Sequence, residues 1–394
     1  MKRALVTAIA LAAACRAGGP PVPVSLGLPL ASPASLGFDS VALDSAARYL
    51  RTQVDSSFPG AVLAVGRHGR LALLAAVGHY AASDPRPVTP STIYDLASLT
   101  KVVGWTTACM QLVDAGRLDL DAPVQRYLPE FRGPGKERVT IRNLLTHTAG
   151  FPPDLPLWTG TRTRAQALAL VDTAPLVSAP GEKYVYSDVS AIVGMQVVER
   201  ITGEPIDRYL AEHVFGPLGM PATRYLPPRS WRAELAPTEV DTFFRHRLLV
   251  GEVHDESAAR LGGVSGNAGL FSNALDLSRF AAMLLAGGTW DTLTLIHAET
   301  VDAFTRRQDL PPGSSRALGW DTPSQPSSAG THLSARAFGH TGYTGTSIWL
   351  DPEKDLFIIL LTNRVNPTRS NVRILRVRPR VADLVATALV HPEL

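Results

Sequence analysis

The sequence predicts a single α/β domain, a central antiparallel sheet flanked by helices, with a mostly helical subdomain inserted between its two ends. Two apolar β-type runs stand early, at 60–67 and 71–78, joined by Arg67-His68-Gly69-Arg70, the pattern of a hairpin. Three more stand late, at 338–342, 346–351 and 356–362, the last two separated by the turn Pro352-Glu353-Lys354-Asp355. Between them, roughly residues 90–235 carry helical periodicity and little strand signal. Strands at both ends complete one sheet only if the ends of the chain meet.

At the N-terminus, Lys2 and Arg3 precede an apolar run from Ala4 to Ala14 and then Cys15, the layout of an export signal over residues 1–15. Small residues before a cysteine resemble a bacterial lipoprotein signal, although Leu11 lies four positions before Cys15, not the usual three. Cleavage with or without lipidation of Cys15, and hence membrane attachment through it, both stay open. Residues 16–37 are rich in Pro, Gly and Ala and read as a tether, with the folded body at 38–394. In the body, Val41, Leu43, Ala47 and Leu50 mark an amphipathic helix, and a Pro/Ser/Thr-rich loop follows the first hairpin. A helix is expected over 98–113, capped by Gly116, then a loop-like stretch at 118–129 and a capped helix start at Thr140. Helical periodicity recurs at 164–172, 190–202 and 206–214, and again at 274–286. The glycine-rich stretch 262–269 lacks a following Gly-Lys-Ser/Thr and so is not a phosphate loop; close passage of backbone past a ligand or another segment accounts better for its glycines.

Composition excludes several function classes. A hydrophobic content of 45% and a charged content of 19% describe a globular chain. A net charge of +3, with no basic block interleaved with aromatics, argues against nucleic-acid binding. The longest apolar run of the body, 356–361, is too short to span a bilayer. With Cys15 processed, only Cys109 is left, so no intramolecular disulfide is expected. No His/Cys cluster has metal-ligand spacing, and neither metal nor cofactor is expected.

The chemistry centres on Ser98 and Lys101. Residues three apart share a helix face, so hydroxyl and amine can meet. A serine is a poor nucleophile until a base takes its proton, and a partly desolvated lysine can be that base. The chain otherwise favours arginine, with lysine only at 2, 101, 136, 183 and 354; arginine cannot act as a base at any usable pH. A serine at a helix start also offers its own N–H to a developing oxyanion.

Two further stretches join this pair: Tyr184-Val185-Tyr186-Ser187-Asp188 before a helix, and His340-Thr341-Gly342-Tyr343-Thr344-Gly345 opening a late strand. With Ser98-x-x-Lys101, they resemble the three signatures of the penicillin-recognising serine enzymes, in the form found in class C β-lactamases, D-Ala-D-Ala peptidases and related esterases. The stretches 144–152, 180–188 and 253–276 read the same way, and the resemblance covers roughly residues 40–385. It implies a β-lactamase/transpeptidase-like fold and an acyl-enzyme on Ser98, with proton traffic shared by Lys101 and Tyr186. It implies an oxyanion hole from the N–H groups of Ser98 and Tyr343, and substrate contacts from Asp188, His340, Thr341 and Gly342. The implied substrates are D-amino-acid peptides of the cell wall or small esters, acted on in the periplasm or cell envelope.

Two departures bear on the substrate. His340 stands where lysine is usual, which weakens any fixed positive anchor for a terminal carboxylate. Asp188 replaces an asparagine and adds negative charge unless it pairs with Lys101; it also suits a helix N-cap. Both departures favour an esterase over a dedicated β-lactamase. A non-catalytic wall-binding protein, and a Ser-His-Asp hydrolase using Ser265, are the remaining alternatives.

Overall fold

The computed structural model describes residues 19–393, so the expected export signal and Cys15 lie outside the described residues. Helix α1 (Ser40–Gln53) is capped by Asp39 and leads to β1 (Gly60–Arg67) and β2 (Arg70–Ala81). His68 and Gly69 both adopt positive φ at the hairpin tip, the requirement of a tight two-residue turn. A short β3 (Asp84–Pro87) follows. Late in the chain come β4 (Phe338–Thr341), β5 (Ser347–Asp351) and β6 (Leu356–Thr362). The six form one sheet in the order β4-β5-β6-β1-β2-β3. β1 pairs antiparallel with β6, from Ala61 opposite Thr362 to Arg67 opposite Leu356, so the two ends of the chain do meet.

Every residue of β1 is buried, because both faces of the sheet are covered. On one face α1 and the C-terminal helix α6 (Ile374–Ala388) pack Leu43, Leu50, Val377 and Val385 against Leu63 and Leu360. On the other, α5 (Ala274–Leu285) places Leu277 and Phe280 in a core with Val62 and Ile359 that extends into the helical insertion. That insertion includes α2 (Thr107–Asp114), α3 (Arg164–Thr173) and α4 (Asp188–Thr202).

Three differences from the sequence reading are informative. The segment expected to be a tether is seated on the body from Leu28: Leu28 and Leu36 are buried and the Ala31 N–H donates to the Leu71 carbonyl at 2.9 Å. Isolated leucines in a Pro/Gly-rich stretch give no periodicity to read, but each can still bury its side chain. The C-terminal helix α6 escaped prediction because Pro379 sits inside it and arginines crowd its start. The helix after Ser98 begins as a π-helical stretch, Lys101–Thr106, before becoming regular; local widening of this kind is frequent at functional sites.

Candidate active site

Ser98 lies on a turn between the short strand Tyr94–Asp95 and the Lys101 helix. Ala97 is forced to φ +46°, a conformation disfavoured for a residue with a Cβ, and the buried Asp95 carboxylate accepts its N–H at 2.8 Å. The other Asp95 oxygen accepts the His254 N–H at 2.6 Å. From the opposite side, the hydroxyls of Thr344 and Thr346 donate to the Asp95 and Leu96 carbonyls at 2.7 and 3.0 Å. The third signature therefore straps down the turn that presents the first. Gly342 is required there: a Cβ would lie 2.1 Å from the Thr346 hydroxyl and 2.4 Å from the Leu96 carbonyl oxygen. Neither the Ser98 nor the Tyr343 backbone N–H donates to another group among the described residues.

Lys101 is completely buried. Its Nζ donates to Ser98 Oγ at 3.0 Å and to the Asn267 carbonyl at 3.1 Å, and lies 2.6 Å from Asp188 Oδ1. The glycine-rich loop brings that carbonyl in. Gly266 passes so close to the helix Asp188–Thr202 that a Cβ would lie 2.1 Å from the Ala191 carbonyl oxygen. Burial alone disfavours the ammonium, but the negative charge of Asp188 and the neighbouring Tyr186 offset it, and the Lys101 pKa stands above the usual lysine value. The pairing that the sequence leaves open, Asp188 with Lys101, is present and favours the ammonium. Asp188 is the first residue of its helix, not the cap, which is Ser187, and its carboxylate is spent on Lys101.

Tyr186 is held by a residue the sequence reading did not single out. The His147 carbonyl accepts the Val185 N–H at 2.9 Å, and His147 Nδ1 accepts the Ser187 N–H at 3.1 Å. Its ring packs on that of Tyr186 with centroids 4.5 Å apart. Burial, reinforced by the charges of Arg316 and Lys101, keeps His147 neutral, as the acceptor role of Nδ1 requires. His147→Ala is expected to lower kcat about tenfold with little change in KM, by freeing Tyr186. Asn, whose amide oxygen can take the Ser187 N–H, should recover part of the loss; steady-state kinetics on the three proteins checks this.

His340 lies 5.8 Å from Tyr186 between ring centroids. Its Nδ1 donates to the Thr341 carbonyl at 2.8 Å. Burial, then the charges of Arg316 and Lys101, push its pKa well below the ordinary value, so it supplies no positive anchor. Arginines supply it instead. A cavity of about 410 Å³ is lined by Ser98, Tyr186, His340, Thr341 and Tyr343 together with Arg316, Arg364 and Arg378. Arg364 and Arg378 donate to backbone carbonyls, Arg378 Nη2 to Gly342 at 2.5 Å and Thr346 at 2.7 Å. Arg316, nine-tenths buried, donates from Nε to the Tyr184 hydroxyl at 3.0 Å, lies over the Tyr184 and Tyr186 rings, and leaves Nη1 without a partner. Its nearest acidic oxygen, on Asp321, is 3.8 Å away.

Ser265 is fully buried, its hydroxyl donating to Asn267 Oδ1 at 2.6 Å, which removes it as a nucleophile. The one possible metal-ligating group among the described residues, Glu204, Glu212 and His213, is largely exposed, and Arg208 pairs with both glutamates. Behind the site, burial and the charge of Asp188 raise the Asp255 carboxyl to about 6. A carboxyl whose pKa is raised by folding binds extra protons in the native state, so stability falls as pH rises from about 4 to 6. Asp255 also caps a short helix through the Ala258 N–H at 2.7 Å, a bond asparagine can keep. Asp255→Asn is expected to flatten that pH dependence and to add on the order of 2 kcal/mol at pH 7, read from urea unfolding across the range.

Among known proteins, the family profile described as Beta-lactamase matches residues 46–382. A protein of Salmonella agona (strain SL483) named "Putative D-alanyl-D-alanine carboxypeptidase" is 32% identical, over 95% of this chain and 94% of its own length. Among solved structures, a penicillin-binding protein homolog from Caulobacter crescentus superposes with a TM-score of 0.72 at 22% identity, over 88% of this chain and 98% of that one. EstCE1, a hydrolase with promiscuous acyltransferase activity, gives 0.71 at 22% identity, over 88% and 99%. These two likenesses speak for the fold. No helix among the described residues is long and apolar enough to cross a membrane.

Proposed function

Since this chain belongs to the Beta-lactamase family and is a serine hydrolase of the β-lactamase and penicillin-binding type, we propose that it is an exported carboxypeptidase acting through acyl-Ser98 on D-amino-acid peptides of the cell wall. The observation that carries this reading is Arg316. Its buried guanidinium lines the cavity of Ser98, where the carboxylate of a peptide's last residue would find a fixed charge. The N-terminal run ending at Cys15 supports export, and recovery of the mature chain from the envelope, with an intact mass beginning at or near Cys15, tests it.

In this mechanism Ser98 Oγ attacks the scissile carbonyl while Tyr186 Oη takes its proton. Lys101, kept as an ammonium by Asp188, donates to Ser98 Oγ and orients it. The N–H groups of Ser98 and Tyr343 receive the oxyanion. Collapse breaks the C–N bond, and the Tyr186 proton passes to the departing amine. Water then attacks the acyl-enzyme by the same route, returning a proton to Ser98. His340 and Thr341 at the end of β4, and Gly342 just after it, form the edge along which the substrate lies, and Asp188 acts through Lys101.

The second reading, an esterase, is favoured by the neutrality of His340. Intact mass after incubation with a penicillin, with Ser98→Ala as control, separates the two. A Ser98-dependent adduct supports the peptidase; no adduct, with Ser98-dependent hydrolysis of a p-nitrophenyl ester, supports the esterase.

A further inference from the structure

We infer that the mouth of the Ser98 cavity is a subsite for an apolar side chain, larger than methyl, on the carboxylate-bearing residue of the substrate. This rests on the carboxypeptidase reading and narrows its substrate class.

The apolar wall is made by the start of α6. Val372 and Leu375 are 59% and 65% exposed, whereas Ile374 and Val377 beside them are buried. Leu375 and Arg378 are three apart on the helix, Val372 just precedes it, and all three line the cavity, so this wall runs from a charged, buried inner end to an apolar rim. The wall is braced at both ends. Arg378 is bonded to the Gly342 and Thr346 carbonyls, and Arg373 Nη1 and Asn371 Nδ2 both donate to the Ser56 carbonyl, at 2.9 and 3.0 Å. Tyr343, 49% exposed, continues the apolar rim from the strand side.

Large aliphatic side chains standing in water around a concave site gain from an apolar ligand group. The cavity holds the nucleophile, so what covers this rim is substrate. The same cavity contains the Arg316 guanidinium, so the ligand that satisfies both carries a carboxylate and an apolar side chain together. The last residue of a peptide carries both on one carbon. A D-alanine methyl leaves most of a cavity of about 410 Å³ unfilled. A D-leucine or D-phenylalanine side chain fills more of it, and Leu375 lines that same cavity.

The test is kcat/KM of the mature protein on one acyl-D-Ala-D-X peptide series, with X = Ala, Leu and Phe, and on a neutral p-nitrophenyl ester. Leu or Phe is expected to exceed Ala by about tenfold or more, the scale of a few methylenes in an apolar pocket. In Leu375→Ser and Val372→Ser, substitutions at exposed positions, that ratio should fall toward one. Turnover of D-Ala equal to or better than D-Leu and D-Phe overturns the proposal and leaves the carboxypeptidase reading standing. Ester hydrolysis with no peptide turnover overturns both.

Discussion

Replacing Lys101 by methionine is expected to lower kcat/KM by about 10³-fold or more, combining the loss of a proton-transfer partner with that of a preorganised charge. Methionine approximates the lysine stem, so the cavity keeps its shape while Ser98 Oγ loses its 3.0 Å donor and Tyr186 its neighbouring cation. The substitution also leaves Asp188 without its counter-ion. Breaking a buried pair on one side costs about 3–5 kcal/mol, and less here because the Asp188 side chain is 24% exposed. The double variant Lys101→Met/Asp188→Asn separates the effects: it should regain most of the thermal stability and none of the turnover. Asp188→Asn alone goes the other way. With the carboxylate gone, burial dominates and the Lys101 pKa falls, so the alkaline limb of the kcat/KM profile should move to lower pH. Turnover in Lys101→Met within tenfold of the parent would remove Lys101 from the mechanism.

What the sequence made legible was local. Ser98 and Lys101 are three apart, and the strands that carry the third signature announce themselves by apolar runs, so spacing and periodicity mark the pieces, and the resemblance to a known family joins them into one site. What it hid depended on partners far away in the chain. Arg316 comes from an irregular segment more than two hundred residues from Ser98, and in a chain this rich in arginine no single one stands out. Arg378 lies beside the proline that disguised α6. The charge state of Lys101 is hidden for the same reason: burial can be guessed from an apolar helix, but the Asp188 carboxylate that reverses its effect arrives from another helix. His147 stood inside a motif already recognised. It holds the N–H groups of Val185 and Ser187, the residues on either side of Tyr186, which only the packed backbone reveals.

Arg316→Met should discriminate between substrates. Against a peptide ending in a free carboxylate, kcat/KM is expected to fall about 10²-fold, mostly through KM, because a desolvated charge pair is truncated on one side. Against a neutral p-nitrophenyl ester the change should stay within about threefold, since that substrate has no carboxylate to anchor. Lysine at the same position keeps a charge but not the planar fork, and should restore only part of the peptide activity. The guanidinium also lies over the rings of Tyr184 and Tyr186, so a structural role is the competing account. An equal loss on ester and peptide would favour it and sink the anchor. A pH signature accompanies the anchor. The Arg316 charge helps hold the pKa of His147 and His340 down, so its removal should let both rise and move the acid limb of the profile to higher pH. Their burial remains the larger cause, so that shift should be modest beside the change in KM.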